Sequence, residues 1–160
     1  MTTAVILTET YTGSHNTNTL PLLLQELDPY FKEKILITDQ PSLYLPFVNN
    51  QARILVPFYK RADPLSSLHT ALSLALSNEV WLIHESKGFS GIHIFEEIKK
   101  AKEYFQTQGV LYQEDSKTSL TNSLFDKSVL RVLQKQLSIN IKDTAKFLRQ
   151  INYVLVHEQK

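Results

Sequence analysis

Glu85 is the residue whose type and position most directly suggest chemistry. It follows a short apolar run, residues 79–83 with the sequence E-V-W-L-I, which is typical of a buried strand. A carboxylate at the end of such a strand can hold magnesium, and the alternative is an acidic side chain in a solvated loop. His84 precedes Glu85, but the next histidine is His93, so the H-E-x-x-H zinc motif is absent.

A helix start at residues 63–73, with the sequence D-P-L-S-S-L-H-T-A-L-S, is the second feature that could meet a ligand. Asp63 can cap the free N–H groups of the first turn, and Pro64 suits the first helical position. Lys60 and Arg61 precede this start and could meet an anion at the positive helix end. Because Asp63 would compete for the same N–H groups, surface solvation of the two basic residues is the alternative.

Two other polar stretches have simpler interpretations. Residues 87–91, K-G-F-S-G, predict a tight turn, since the nucleophile motif G-x-S-x-G needs a residue between the serine and the second glycine. Asp39 precedes Pro41 by two positions and is typical of a turn-forming aspartate.

Short apolar runs alternate along the chain with segments of helical periodicity, and these elements must position the candidate residues. Strands are predicted at residues 4–7, 34–38, 52–56, 79–83, 109–112 and 153–157, with a short antiparallel edge strand at 123–125. Helices are predicted at residues 20–31, from 64, from 92, from 126 through 138 and from 143 through about 151. The helix that begins at residue 64 has four leucines at helical spacing, which are Leu65, Leu68, Leu72 and Leu76. Residues 39–50, with two prolines, are predicted to form a turn region.

This alternation predicts an α/β fold of three layers, Rossmann-like, with a mostly parallel sheet and helices on both faces. We expect one domain over residues 1–160, because no linker or internal repeat interrupts the pattern. In such sheets a ligand usually binds outside the carboxyl ends of the strands. That rule places residues 8–19, 39–42, 57–63 and 84–91 around one crevice.

The composition narrows the function classes. Net charge is +1 and charged residues make up 21% of the chain, so no basic field favours nucleic acid or an anionic membrane. Cysteine is absent, which excludes disulfides, thiolate metal sites and a cysteine nucleophile. We expect neither a signal peptide nor a membrane span. We expect a cytoplasmic location.

Several segments together carry a family resemblance that runs nearly end to end. They are V-I-L at residues 5–7, I-L-I-T-D-Q-P-S-L-Y at 35–44, P-L-S-S-L-H-T-A-L at 64–72, V-W-L-I at 80–83, and the C-terminal segments 123–139 and 147–154. On these segments the chain resembles the MobA-type molybdenum cofactor guanylyltransferases, within the nucleotide-diphospho-sugar transferase fold. Residues 64–72 are similar to that family's G-P-L-[AS]-G-[IL]-x-x-[AG]-L stretch, and residues 80–83 precede the place of its C-D-M-P motif.

The resemblance implies transfer of a guanylyl group from GTP to molybdopterin, with magnesium as the metal and pyrophosphate as the leaving group. It implies that Glu85 is the catalytic residue and the magnesium ligand, since it aligns with the family's metal-binding aspartate. Asn152 matches the Asn of the closing V-N segment on the pterin side, and is equally well explained as the residue that ends a helix. The nucleotide- or cofactor-binding positions implied by the match are Leu7, Thr8, Glu9, Asp39, Asp63 and Asn152.

The chain departs from the family where phosphates would bind. The family opens with L-A-G-G-x-S-x-R-M-G and a lysine, whereas residues 8–15 read T-E-T-Y-T-G-S-H and no Lys or Arg occurs before Lys32. A triphosphate needs close backbone N–H groups and fixed cations, and Glu9 would repel it. Other family residues are replaced by Pro57, Asp63, Ser86 and Lys87.

These departures predict little or no transfer and leave two main hypotheses, beside a third, a nucleotidyltransferase for another substrate, which no residue supports. One is a guanylyltransferase-like protein that works with GTP, molybdopterin and magnesium. The other is a non-catalytic binding or accessory protein with the same fold, which holds a nucleotide, a pterin or a protein partner. Metal-dependent GTP binding distinguishes the first from the second.

Overall fold

The computed structural model describes residues 1–8, 19–59, 63–87, 91–114, 119–141 and 143–158. The strands are β1 (Thr2–Leu7), β2 (Lys34–Ile37), β3 (Arg53–Leu55), β4 (Glu79–His84), β5 (Gly109–Gln113), β6 (Leu124–Asp126) and β7 (Tyr153–His157). The α-helices are α1 (Thr19–Leu27), α2 (Pro41–Val48), α3 (Pro64–Leu74), α4 (Ile92–Phe105), α5 (Leu130–Ser138) and α6 (Thr144–Arg149). Short 3-10 turns lie at Glu85–Lys87 and Lys127–Val129.

The strands form one sheet in the order β3-β2-β1-β4-β6-β5-β7, in which only β6 runs antiparallel to its neighbours. The other pairs, β1 with β2 and β4, β2 with β3, and β5 with β7, are parallel. The predicted α/β class with a mostly parallel sheet is therefore confirmed. The prediction of an edge strand at residues 123–125 is wrong, because β6 pairs on both sides.

Helices cover both faces of the sheet, as predicted. One face carries α3, α5 and α6, which pack on alternate strand residues such as Val5, Ile35 and Leu82. The other carries α1, α2 and α4, which pack on the intervening residues such as Ile6 and Trp81. Because both faces are covered, every residue of β1 is buried, which explains why the central strands read as continuous apolar runs.

Some helix predictions need correction. Residues 41–48, within the predicted turn region, form α2, which begins at Pro41 and accommodates Pro46 in its interior. Leu76 is not part of the buried leucine face, because α3 ends at Leu74 and the Leu76 side chain is 76% exposed. Phe105, predicted to share the inward face of α4, is also exposed.

The amino ends of the central strands are held by paired charges. Glu79 accepts hydrogen bonds from Thr2 and Lys99, and its other oxygen lies 3.6 Å from the ammonium of Lys102. Lys102 also pairs with Asp126 at 3.0 Å. This network ties α4 to the sheet at the end away from the predicted crevice, so its role is structural. In the described ranges, no helix combines the length and apolar character that a bilayer crossing requires.

Candidate functional site

The carboxyl ends of three neighbouring strands meet at one edge of the sheet. Leu7, the last residue of β1, lies opposite Ile37 of β2 and His84 of β4. The residues that follow each strand, among them Thr8 and Glu85, therefore emerge side by side. The Thr8 hydroxyl donates a hydrogen bond of 3.0 Å to the Ile37 carbonyl, which fixes the end of β1 against β2. These adjacent strand ends form the end of the sheet at which the sequence predicted a crevice.

Glu85 begins the 3-10 turn that follows β4, and its side chain is only 3% exposed. A solvated loop acid, the alternative considered from sequence, does not describe a carboxylate enclosed to this degree. The neighbouring His84 ring folds back on Ser86: its Nδ1 accepts the Ser86 N–H at 3.2 Å and lies 2.7 Å from the Ser86 hydroxyl. Nδ1 of His84 is thereby engaged within the turn. No group of three or more metal-ligating His, Asp or Glu side chains occurs among the residues that the structure describes.

Tyr44 is the site residue that sequence reasoning missed. It lies on α2 and is 1% exposed, and its hydroxyl is within electrostatic reach of the Glu85 carboxylate. Burial, followed by the negative charge of Glu85, raises the pKa of Tyr44 to about 12, and the charge of Asp39 contributes in the same direction. The hydroxyl therefore keeps its proton at neutral pH and can donate it to a carboxylate.

Asp39 follows β2 and its side chain is exposed at the same end of the sheet. The charge of Asp39 acts on the Tyr44 hydroxyl, so the carboxylates of Asp39 and Glu85 both lie within electrostatic reach of one phenol. The backbone N–H of Gln40 donates to the Thr38 hydroxyl at 3.1 Å, which closes the turn from β2 into α2. The predicted turn-forming environment of Asp39 is present, and its predicted nucleotide contact stays a prediction.

Asp63 caps α3, as its sequence context predicts. Its Oδ1 accepts the Ser66 N–H at 2.8 Å, and its backbone is extended. The segment before it is fastened to the same helix, because the Phe58 N–H donates to the Thr70 hydroxyl at 2.9 Å. The Ser66 hydroxyl donates to the Tyr59 carbonyl at 3.0 Å. The capping carboxylate thus occupies the helix N-terminus at which an anion was considered, and Lys60 and Arg61 lie outside the described residues.

The remaining predicted residues are not gathered in one place. Leu7 is a core residue at the end of β1, and its side chain belongs to the hydrophobic core between the sheet and α3. Asn152 precedes β7 and exchanges backbone and side-chain hydrogen bonds with Gln108. Since β7 runs parallel to β4, Asn152 lies at the opposite end of the sheet from Glu85, which follows its strand. Glu9 lies outside the described residues.

The donor set at the strand ends suits a hard cation. Glu85 and Asp39 provide carboxylate oxygens, and Thr8 provides a hydroxyl, all of which are ligand types that magnesium accepts. Magnesium is commonly held by one or two carboxylates together with substrate phosphates and water. The chemistry of these residues therefore fits magnesium in a complex with a phosphate-bearing ligand.

Comparisons with known proteins identify the fold. No protein-family model and no curated protein sequence matches the chain. Among solved structures, molybdopterin-guanine dinucleotide biosynthesis protein A from Archaeoglobus fulgidus superposes with a TM-score of 0.78 at 13% identity, over 98% of this chain and 83% of that one. The 2-C-methyl-D-erythritol 4-phosphate cytidylyltransferase from Francisella tularensis gives 0.67 at 15% identity, over 100% and 92%. A Mycobacterium tuberculosis protein in complex with manganese gives 0.67 at 11% identity, over 99% and 89%.

These similarities confirm the fold that the sequence predicted, a mostly parallel α/β sheet of the nucleotide-diphospho-sugar transferase type, shared by MobA and the cytidylyltransferases. Identities of 11–15% show the fold alone.

Proposed function

We propose that this protein binds GTP as its magnesium complex at the carboxyl end of the sheet, in the cytoplasm, and belongs to molybdenum cofactor biosynthesis. In this proposal it transfers the guanylyl group to molybdopterin slowly or not at all. The observation that carries the proposal is the placement of Glu85, an enclosed carboxylate directly after β4 and beside the end of β1. This is the position that the resemblance assigns to the magnesium ligand.

Each residue at the carboxyl end of the sheet would have a separate role in binding the magnesium–nucleotide complex. Glu85 would hold the magnesium ion through a carboxylate oxygen, and Asp39 would add a second negative charge at the rim of the site. The Thr8 hydroxyl proton is donated to the Ile37 carbonyl, so Thr8 would offer its hydroxyl oxygen to the magnesium ion. When bound, magnesium would supply charge neutralisation on the nucleotide's phosphates.

Slow transfer follows from the composition of the first loop, after β1. Rapid guanylyl transfer requires positive groups that stabilise negative charge as it develops on the phosphates, and one such group is worth about 3–4 kcal/mol of barrier. The sequence has no Lys or Arg before Lys32, and the first loop carries Glu9 instead. With cations missing from this loop, we expect transfer at least about 10³-fold below that of an enzyme that has them.

A non-catalytic binding role is the second candidate, and one observation favours it. Glu85 is only 3% exposed, and this enclosure is more typical of a structural acid than of an open metal ligand. In that role the fold would hold a nucleotide, a pterin or a protein partner without a metal-dependent step.

Calorimetry with GTP separates the two candidates. The proposal predicts micromolar binding in the presence of magnesium and loss of at least tenfold in affinity when EDTA is added. Glu85→Gln should reproduce that loss with magnesium present, whereas the control Glu97→Gln, at an exposed position of α4, should bind like wild type. Absence of binding up to millimolar GTP would support the second candidate. Micromolar and millimolar dissociation constants differ by about 4 kcal/mol in binding free energy, so the two outcomes are well separated.

A guanylyl-transfer assay with GTP, magnesium and molybdopterin tests the rate. Formation of pyrophosphate at rates typical of enzymes, on the order of 1 s⁻¹ or more, would contradict the proposed slow transfer.

A further inference from the structure

The last strand of the sheet has one unpaired side. β7 pairs with β5 over its whole length and ends the strand order, so no described strand covers its outer side. The Glu158 N–H donates to β5, and the Asn152 carbonyl accepts from the start of β5. Backbone direction alternates along a strand, so Tyr153, Leu155 and His157 turn their N–H and carbonyl groups outward. This edge can therefore accept another strand.

The opposite edge of the sheet has features that prevent such pairing. β3 is only three residues long and begins with the charged Arg53, and Pro57 follows it closely. β7 has five residues, Y-V-L-V-H, without proline, lysine, arginine or an acidic residue. Natural proteins shorten, charge or interrupt the edge strands that stay unpaired. Because β7 has none of these features, its edge is suited to a partner.

Apolar side chains occupy both faces of β7. Tyr153 and Leu155 are each 36% exposed. Val154 and Val156 alternate with them and pack partly against the core on the α4 side of the sheet. A strand added beside β7 would therefore cover apolar surface on both faces as well as satisfy the backbone.

A second copy of the same strand fits this pattern. In an antiparallel pair, residues with outward backbone groups face each other and exchange both hydrogen bonds. If a two-fold axis passes at Leu155, this residue faces its own copy, and Tyr153 faces the second copy's His157. Val154 and Val156 then oppose each other in the closer pairs without hydrogen bonds, where apolar cross-strand contacts stabilise a sheet. The contact is self-complementary, as a closed two-fold dimer requires.

Charges at the two ends of β7 favour the antiparallel direction. Glu114 and Glu158 directly follow the paired ends of β5 and β7. At the other end, α6 leads into β7 and carries Lys146 and Arg149 in its last turn. Antiparallel pairing brings the acidic end of each copy toward the basic α6 end of the other. Parallel pairing would bring like charges together, which is unfavourable.

We propose that this protein forms a symmetric dimer in which the β7 strands of two copies pair antiparallel, with the two-fold axis at Leu155. The two sheets then continue into each other. β6 and β5 separate β7 from β4, so the strand ends beside Glu85 stay outside the interface. The dimer is therefore independent of the proposed function, and either can fail without the other.

Charges placed on the axis test this pairing in sedimentation velocity at micromolar concentration, where we expect wild type to be a dimer. Leu155→Lys and Leu155→Glu each place like charges opposite each other, so each variant alone should be a monomer. A mixture of the two places opposite charges across the axis and should restore the dimer. Leu76→Lys, at a leucine that is 76% exposed between α3 and β4, is the control and should remain a dimer.

Disulfide cross-linking tests the register without adding charge. The chain has no cysteine, so one introduced cysteine can be oxidised only with its own copy. Residues that face each other in an antiparallel hydrogen-bonded pair have Cα atoms about 5.5 Å apart, a distance that a disulfide spans. Leu155→Cys should therefore form a covalent dimer with copper phenanthroline as oxidant. Tyr153→Cys should not, because Tyr153 faces His157 and lies too far from its own copy.

Three results would overturn the inference. Wild type could be a monomer at every concentration, which would leave the edge of β7 to an extended segment of another protein. Leu155→Lys and Leu155→Glu could each remain dimers, which would place the interface elsewhere. Cross-linking through Tyr153→Cys, or failure of the mixed charge variants to associate, would exclude the axis at Leu155.

Discussion

Leu7 and His84 lie opposite each other at the ends of β1 and β4, and this pairing places Thr8 and Glu85 side by side at the edge of the sheet. Parallel strands that share a register end together, so residues separated by more than 70 positions in sequence become neighbours. Tyr44, from the helix after β2, is buried within electrostatic reach of Glu85. The candidate site is therefore a product of strand register and of one buried phenol.

Removal of the Asp63 cap should destabilise the protein measurably. The Asp63 carboxylate satisfies the Ser66 N–H at 2.8 Å, and loss of such a cap costs about 0.5–2 kcal/mol. We expect Asp63→Ala to lower the free energy of unfolding in urea by this amount. Asp63→Ser, which keeps a capping oxygen without the charge, should stay close to wild type. Equal losses of unfolding free energy in Asp63→Ala and Asp63→Ser would show that the negative charge of Asp63, rather than its capping hydrogen bond, stabilises α3.

Glu79 should make a pH-dependent contribution to stability. Burial alone would raise its pKa, but hydrogen bonds from Lys99 and Thr2 and the charges of Lys99 and Lys102 outweigh burial, so the pKa lies below its ordinary value of 4.5. A carboxylate whose pKa is lowered by folding stabilises the protein at pH values above its unfolded-state pKa. This stabilisation disappears as the pH falls through the folded-state pKa.

Glu79→Gln should therefore lower the free energy of unfolding at pH 7 by about 1–3 kcal/mol, the cost of losing hydrogen bonds to a charged group. The difference from wild type should shrink as pH falls below 4.5. Glu97→Gln, an exposed control, should change stability by less than about 0.5 kcal/mol. If the unfolding free energies of wild type and Glu79→Gln differed by the same amount at pH 7 and pH 3, the lowered pKa of Glu79 would be contradicted.

His69 should destabilise the protein in mild acid. Its ring is buried against the rings of Phe58 and Tyr59, and neither ring nitrogen has a hydrogen-bonding partner in the described part of the chain. Burial lowers the pKa of His69 from its ordinary value of 6.5. The unfolded chain then binds a proton more readily than the folded one, so stability is lost as pH falls below 6.5.

His69→Leu should remove that part of the pH dependence, which amounts to at most about 1.4 kcal/mol per pH unit. Urea unfolding at pH 7, 6 and 5 measures it, with His157→Gln as an exposed control. A wild-type and a His69→Leu profile of equal slope would contradict the prediction.

Gly109 leaves no room for a side chain. A Cβ at this position would lie 2.6 Å and 2.8 Å from two ring carbons of Phe125 on the neighbouring strand. Gly109→Ala should therefore cost about 1–3 kcal/mol of stability by overpacking. The cost should be smaller in a Phe125→Leu background, where the smaller side chain can move away. An equal cost in both backgrounds would place its origin in the backbone instead.

Local signals in the sequence predicted most of the fold. Strands buried on both faces are continuous apolar runs, as in residues 4–7, and the Asp63-Pro64 pair specifies the start of α3 through capping chemistry alone. These features depend on neighbours in sequence, so they could be read without a structure.

Non-local features were less accessible. The insertion of β6 between β4 and β5 depends on pairing partners far away in sequence, and residues 123–125 contain nothing that distinguishes an edge from an interior position. Tyr44 was missed because Pro41 and Pro46 indicated a turn, whereas Pro41 starts a short helix and Tyr44 then faces the core one turn later. Recognition of Pro41 as a first helical residue would have revealed it.

The central claim is that a magnesium–nucleotide complex binds at the carboxyl end of the sheet, and an amide NMR titration with magnesium and GTP tests it most directly. We predict saturable shifts for the amides of Thr8, Thr38 and Glu85, with none for Asn152 and Tyr153 at the other end. Shifts centred on Asn152, or no shifts at millimolar magnesium–GTP, would contradict it.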